Sequence, residues 1–271
     1  MSFDIGRDGL VTHPHPASPI EGEGFSPGAK TATPRAMTRR NILVTGASRG
    51  IGKAIATALA GENIVGHSSK GGDGLVGADL AEPGAAEILW NAALERLGGR
   101  IDVLVNNAGI FEAAPIGLSN EEWVAGWQRT LRVNLIASSE LCRLAVLHFR
   151  ESGRGGRIVN VASRAAHRGD SPDHWHYAAS KAGMVAMTRS IARGYAAENI
   201  LAFAVSPGFT GSDMVDDYLA SRGGAKILAD IPLGRIATPD EVAETVRWLA
   251  LDAPASVTGS VIDVNGASYV R

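Results

Sequence analysis

The sequence predicts an α/β fold, a doubly wound parallel seven-stranded sheet with helices on both faces, built as a single domain. Three observations point there. Short runs of Ile, Val and Leu recur along the chain, and amphipathic stretches of helical length lie between most of them. The runs are nearly continuous in apolar residues, as expected of parallel strands buried on both faces.

The strands are read at Asn41–Thr45, Ile64–Gly66, Leu75–Ala78, Val103–Asn106, Arg157–Val161, Leu201–Val205 and Ser260–Val264. The first is followed by a glycine-rich turn and a helical stretch, Lys53–Ala60. Between the second and third lies a short stretch around Ser68–Gly74, mostly Gly, Ser and Asp. No helix fits there, although a doubly wound fold normally places one. A loop is expected, with one sheet face thinly covered at that edge. Later helix starts are legible. Ser119 with Glu122 forms a capping-box pattern before Trp123-Val124. Thr238-Pro239-Asp240-Glu241 puts a cap, a proline and early acidic residues before Val242–Leu251.

Residues 1–37 differ from the rest. They are rich in Pro, Gly, Ser and Thr and show no hydrophobic period, so a disordered tail is expected, with the domain over residues 38–271. Fold-forming sequence begins directly after Met37, which makes Met37 a candidate natural start. Arg39-Arg40 precedes an apolar stretch too short for a signal core.

The 271 residues fit one large α/β domain, and 45% of them are apolar, enough for a sizeable core. A formal net charge of −2 argues against a nucleic-acid or membrane-surface binder. No run is long enough to span a bilayer. One cysteine, Cys142, excludes a disulfide framework within the chain; it lies in an apolar helical stretch and reads as a buried core thiol. This composition suits the reducing cytoplasm.

Chemistry enters at Thr45-Gly46-Ala47-Ser48-Arg49-Gly50-Ile51-Gly52. A glycine-rich turn between a strand and a helix lets backbone approach a pyrophosphate, and the helix N-terminus offers N–H groups and partial positive charge. The turn follows the first strand and opens a helix, the context of a Rossmann fold. Its glycines are spaced more widely than the usual dinucleotide fingerprint. Further motifs follow in order: Asn106-Asn107-Ala108-Gly109 after the fourth strand, Asn134 in a helix, Ser163 after the fifth strand, Tyr177-Ala178-Ala179-Ser180-Lys181, and Pro207-Gly208 after the sixth. With these motifs the chain resembles the short-chain dehydrogenase/reductase family, whose signatures are TGxxxGIG and YxxxK, over about residues 41–267. Among its members it is similar to the single-domain β-ketoacyl-[acyl carrier protein] reductase-like branch.

Hydride transfer to a carbonyl needs a proton donor for the developing alkoxide. Tyr177 and Lys181 are four apart and share a helix face, where a nearby ammonium favours phenolate and lowers the phenol's pKa. The Ser163 hydroxyl, past a strand end, can orient the substrate oxygen. The resemblance implies the same roles, with Lys181 also a ribose ligand and Asn134 the holder of a proton-relay water. The reaction implied is NAD(P)(H)-dependent hydride transfer between nicotinamide and a small-molecule carbonyl or secondary alcohol, including 3-oxoacyl thioesters. A non-catalytic NAD(P)-binding regulatory protein of the same fold is the alternative; it would be expected to lack these groups. Epimerase-like relatives carry a different glycine spacing and a larger C-terminal region.

At the end of the second strand, where NAD-dependent proteins usually carry an acidic residue, stand His67-Ser68-Ser69-Lys70. With Arg49 in the loop, this favours NADP(H) over NAD(H), NAD(H) remaining possible. The expected cofactor contacts are Gly46, Ser48, Arg49, Gly50, Ile51, Gly52, His67, Ser68, Ser69, Asp79, Leu80, Asn107, Ala108, Gly109, Tyr177, Lys181, Pro207, Gly208, Thr210 and Ser212. Asp79 is placed at the adenine by resemblance, and Ser212 stands in for the family's Thr near the nicotinamide.

Three stretches, Ile110–Leu118, Arg164–His176 and Phe209–Leu233, are expected to wall the substrate site. The last is long and irregular, a candidate lid with Met214, Tyr218, Leu219, Ile227 and Leu228. Arg164 and Arg168 either meet an acidic substrate group, or face water or pair with Asp170 and Asp173. His167, His174 and His176 lack metal-ligand spacing, and Trp175 reads as pocket wall. The apolar helical stretches 134–149 and 177–197 are expected to build the subunit contacts of a homotetramer or homodimer.

Overall fold

The computed structural model describes residues 39–211 and 224–271, with only the backbone of 225–227. The expected tail over residues 1–37, Ser212, Met214, Tyr218 and Leu219 lie outside the described residues.

Among the described residues seven strands pair throughout in parallel: β1 (Asn41–Val44), β2 (Asn63–Ser68), β3 (Val76–Gly77), β4 (Val103–Asn106), β5 (Gly156–Val161), β6 (Ile200–Pro207) and β7 (Val261–Val264). Their order is β3-β2-β1-β4-β5-β6-β7. The order reverses direction between β1 and β4, and a crevice at the carboxyl ends there is the usual ligand site of such sheets. The helices are α1 (Gly50–Ala58), α2 (Ala85–Arg96), α3 (Asn120–Leu131), α4 (Ala137–Ser152), α5 (Ala165–Arg168), α6 (Trp175–Tyr195), α7 (Gly224–Ala229) and α8 (Pro239–Leu251). No described helix is long and apolar enough to cross a membrane.

Alternate strand residues feed two separate cores. Leu43, Leu104 and Ile158 pack against Leu89 of α2, Leu141 and Phe149 of α4 and Ile191 of α6. Their chain neighbours Ile42, Val44, Val103, Val105 and Val159 pack on the other face against Ile55 of α1 and Val242 and Val246 of α8. Double coverage is why these strands carry no polar alternation. Cys142 sits in the first core, where burial pushes its thiol up to about 12.

No helix joins β2 to β3. Gly71, Gly72, Asp73 and Gly74 all have positive φ (70°, 90°, 50° and 81°), a left-handed run that a right-handed helix cannot contain. Leu75 then folds back over Gly66, where a Cβ would lie 2.6 Å from the leucine Cδ2. The face expected to be thin is therefore filled by one leucine. β3 is shorter than the sequence suggests, Val76–Gly77 in place of Leu75–Ala78.

A buried amide chain ties α6 to the sheet. Asn106 Nδ2 of β4 donates to Asn160 Oδ1 of β5 (2.9 Å), and Asn160 Nδ2 donates to Thr188 Oγ1 of α6 (2.8 Å). Thr188 in turn donates to the Met184 carbonyl (2.8 Å). Replacing Asn160 with Leu removes both of its amide bonds, leaving Asn106 Nδ2 with Cys142 Sγ (3.2 Å) and Thr188 with the Met184 carbonyl. A loss of about 2 kcal/mol is expected, read as a lower urea midpoint with an unchanged m-value; an unchanged midpoint would contradict the role given to this chain.

Candidate active site

The β1–α1 turn is held in a compressed shape. Gly46 has φ +67°, and a Cβ there would lie 2.9 Å from Ala108 Cα. A Cβ on Gly52 would fall 2.0 Å from the Gly46 carbonyl oxygen, so the helix start tucks beneath the turn only with glycine at both places. Thr45, buried, ties this turn to the end of β4. Its Oγ1 accepts from the N–H groups of Asn107 and Ala108, each at 2.9 Å. Asn107 Nδ2 returns bonds to the carbonyls of Thr45 (3.0 Å) and Gly46 (3.1 Å). Asn107 thus braces the loop with its side chain, a role its motif alone does not reveal.

Helices α3 and α8 close their N-termini with complete capping boxes, Ser119–Glu122 and Thr238–Glu241. Helix α1 has no side-chain cap at Arg49. Its leading N–H groups are left for another acceptor, the arrangement that binds a phosphate. Ser48, Arg49 and Gly50 are exposed on this turn, while Ile51 is half-buried against the second core. At the end of β2, Ser69 and Lys70 are exposed and Ser68 is half-buried, its hydroxyl donating to the Gly71 carbonyl (3.2 Å). These groups make this edge cationic and hydroxylated. His67 is placed differently. It is 2% exposed and lies behind the loop, so it meets Gly46 and Ala78 rather than open space. Leu80 turns its side chain into the first core, and Asp79 is exposed, its carboxylate accepting from the Ala81 N–H (3.0 Å).

Two of the expected catalytic positions, Asn134 and Lys181, converge beside Gly109. A Cβ on Gly109 would lie 3.3 Å from Asn134 Oδ1 and 3.5 Å from Lys181 Nζ. Asn134 is fully buried in a π-helical turn, Arg132–Ile136, between α3 and α4. Such turns disrupt the regular helical ladder and recur at functional sites. Its amide is used on both sides: Oδ1 accepts from Ile110 N–H (2.8 Å), and Nδ2 donates to the Ile110 carbonyl (3.0 Å) and Ser180 Oγ (3.2 Å). Ser180 itself donates to the Tyr177 carbonyl (2.7 Å), joining Asn134 to the first turn of α6.

Lys181 Nζ is buried, donates to the Val161 carbonyl (2.9 Å) and lies 5.9 Å from the Tyr177 ring centre. Burial draws the ammonium down to about 8. Tyr177 moves opposite to the sequence expectation. Burial pushes its phenol up to about 12, with the facing Ser163 hydroxyl pulling the other way and Asp170 adding to the rise. At this separation, with its charge directed at a backbone carbonyl, Lys181 does not lower the phenol. Desolvation governs both groups and keeps each nearer its neutral form.

The substrate side shows contacts that chain order conceals. Phe111 stacks flat on His174 (3.9 Å, 5°) and meets Tyr177 edge-on (4.7 Å, 83°), which brings two of the expected walls together at the phenol. Arg164 and Arg168 do not pair with Asp170 or Asp173. Both reach Asp230, at 3.4 and 2.6 Å, and Arg164 lies over the Phe209 ring (4.7 Å). Among the histidines, His174 engages Ser171 Oγ (2.7 Å) and His167 engages Ser206 Oγ (3.3 Å). Trp175 is half exposed. Pro207 and Gly208 end β6 at the same sheet edge, and Thr210 bonds its hydroxyl to the Gly208 carbonyl (3.2 Å).

Residues 46–267 match the family model described as enoyl-(acyl carrier protein) reductase. A 3-oxoacyl-[acyl-carrier-protein] reductase of Synechocystis sp. is 38% identical over 251 residues, 85% of this chain and 97% of that protein. One of Escherichia coli is 34% identical over 247 residues, 84% and 96% of the two chains. Nodulation protein G of Rhizobium sp. is 39% identical over 244 residues, 85% and 97%. With its parallel sheet, uncapped glycine turn and Tyr177–Lys181 pair, the chain belongs to the short-chain dehydrogenase/reductase family of NAD(P)(H)-dependent oxidoreductases.

Proposed function

We propose that this protein reduces the keto group of a 3-oxoacyl thioester with NADPH, using Tyr177 as proton donor. The observation that supports this reading is that the Tyr177 phenol faces the Ser163 hydroxyl, with Lys181 Nζ 5.9 Å from the Tyr177 ring centre and beside Gly109. The thioester is taken from the names of the relatives. The family description names an enoyl substrate; the keto reading follows the names of the relatives, and the keto oxygen, at the group being reduced, accepts both the Ser163 hydrogen bond and the Tyr177 proton.

The cofactor, when bound, supplies the hydride to the carbonyl carbon. Ser163 donates a hydrogen bond to the carbonyl oxygen and orients it. Tyr177, held as a phenol by burial, gives its proton to that oxygen as the C–O π bond becomes a C–H bond and an O–H bond. Lys181 binds the ribose hydroxyls and contributes positive charge. Asn134 fixes the π-helical turn whose carbonyls hold a relay water. The N-terminus of α1 receives the pyrophosphate, and Arg49, Ser69 and Lys70 take the 2′-phosphate.

Residues 38–271 act as one domain in this reading, in a homodimer or homotetramer. Exposed Ile136 and Leu147 on and beside α4 support the association. The buried thiol of Cys142 is compatible with the cytoplasm.

Tyr177→Phe is expected to lower turnover at least about a hundredfold, while calorimetric NADPH binding is retained; unchanged turnover would refute the proton donor. Arg49→Gln should weaken NADPH about tenfold and leave NADH unaffected, and an equal loss for both would remove the phosphate contact. Lys181 carries its charge at neutral pH and loses it as pH rises through about 8. Cofactor affinity should therefore fall on that alkaline limb and lose the limb in Lys181→Met. A profile shared by both proteins would contradict the role of the ammonium.

A further inference from the structure

His67 is bonded at three points, and the two at its ring define its protonation state. Gly46 N–H donates to Nδ1 (3.2 Å), and Nε2 meets the Ala78 carbonyl (2.8 Å). The backbone carbonyl of His67 accepts from Ala47 N–H (2.7 Å). A backbone N–H can only donate and a carbonyl can only accept. The ring is therefore neutral, with its proton on Nε2. In that form one side chain in β2 holds the first glycine of the β1–α1 turn on one side and the end of β3 on the other. The second contact matters because β3 pairs with β2 through two residues only, His67 with Val76 and Ser68 with Gly77, and no helix packs between the two strands in sequence.

We infer that His67 is a positioning residue for the cofactor: its neutral Nε2–H form holds the phosphate-binding turn in shape, and protonation of the ring releases that turn. An imidazolium would set an N–H against the Gly46 N–H, two donors with no acceptor between them. Gly46 is held close to the loop after β4, where even a Cβ on it would lie 2.9 Å from Ala108 Cα. Burial opposes the charged form and holds His67 below the ordinary histidine range. The Ala78 carbonyl and the Asp79 carboxylate act in the opposite sense, and Asp79 is the charged group acting on the ring among the described residues. Acidification thus meets a ring that resists protonation and a turn that fails once it occurs. The inference rests on the turn being the cofactor's phosphate cradle.

The test measures NADP+ binding by calorimetry at about pH 8 and about pH 5, across the histidine range, for wild type, His67→Asn and His67→Leu. The Asn carboxamide oxygen replaces Nδ1 as acceptor for Gly46 N–H and does not titrate. The 2′-phosphate gains a proton in every protein, so the reading is the difference between them. Wild type should lose at least about tenfold more affinity in acid than His67→Asn, the effect of one lost buried hydrogen bond. His67→Leu should bind weakly at both pH values. Nitrogen-15 NMR of the wild-type ring, which needs no variant to fold, should show the Nε2–H tautomer at neutral pH. Equal acid sensitivity in wild type and His67→Asn, or an Nδ1–H tautomer, would overturn the inference alone. No NADP+ binding to wild type at either pH would overturn the cofactor reading and this one with it.

Discussion

Parallel pairing of all seven strands is the constraint on which the rest of the structure depends. It sends every strand-to-helix loop to one edge, so residues far apart in the chain arrive at the same place. The turn after β1, the loop after β4, Ser163 after β5 and Pro207-Gly208 after β6 all emerge there. Parallel strands need long crossovers, and these cover both faces with helices. The same topology therefore makes the apolar core and opens the polar edge. Thr45 shows the two at one residue: it ends a fully buried strand, and its hydroxyl binds the loop after β4.

Desolvation is the second organising term. Tyr177 and Lys181 stand one helical turn apart, and burial displaces both toward neutrality, the phenol up to about 12 and the ammonium down to about 8. A neutral phenol is the form that a reduction consumes. Running the reaction toward the ketone requires phenolate, which the positive charge of an oxidised nicotinamide favours. Phe111 packs edge-on against the phenol, and the Val161 carbonyl accepts from the ammonium.

The local patterns of strands and caps were legible because each rests on neighbours in sequence. Apolar runs placed the seven strands, and Ser119 and Thr238 marked their helices. The missing helix after β2 was legible for the same reason, since Gly71, Gly72 and Gly74 announce a left-handed turn. Contacts between distant segments were not. Nothing near Arg164 and Arg168 distinguishes Asp230 from the closer Asp170 and Asp173. The inward turn of His67 depends on where Gly46 and Ala78 arrive, which motif spacing does not convey. The direction of the Tyr177 shift was misread because a lysine four residues away suggests a charge effect, whereas the depth of burial that outweighs it is a property of the assembled core.

The measurement that tests the central claim most directly is NADPH consumption by the purified protein with a 3-oxoacyl thioester, the nicotinamide absorbance followed and the 3-hydroxyacyl product quantified. The account predicts that product appears one for one with NADPH consumed. Bound NADPH that is never oxidised by this or any other ketone would contradict carbonyl reduction at the Ser163–Tyr177 site.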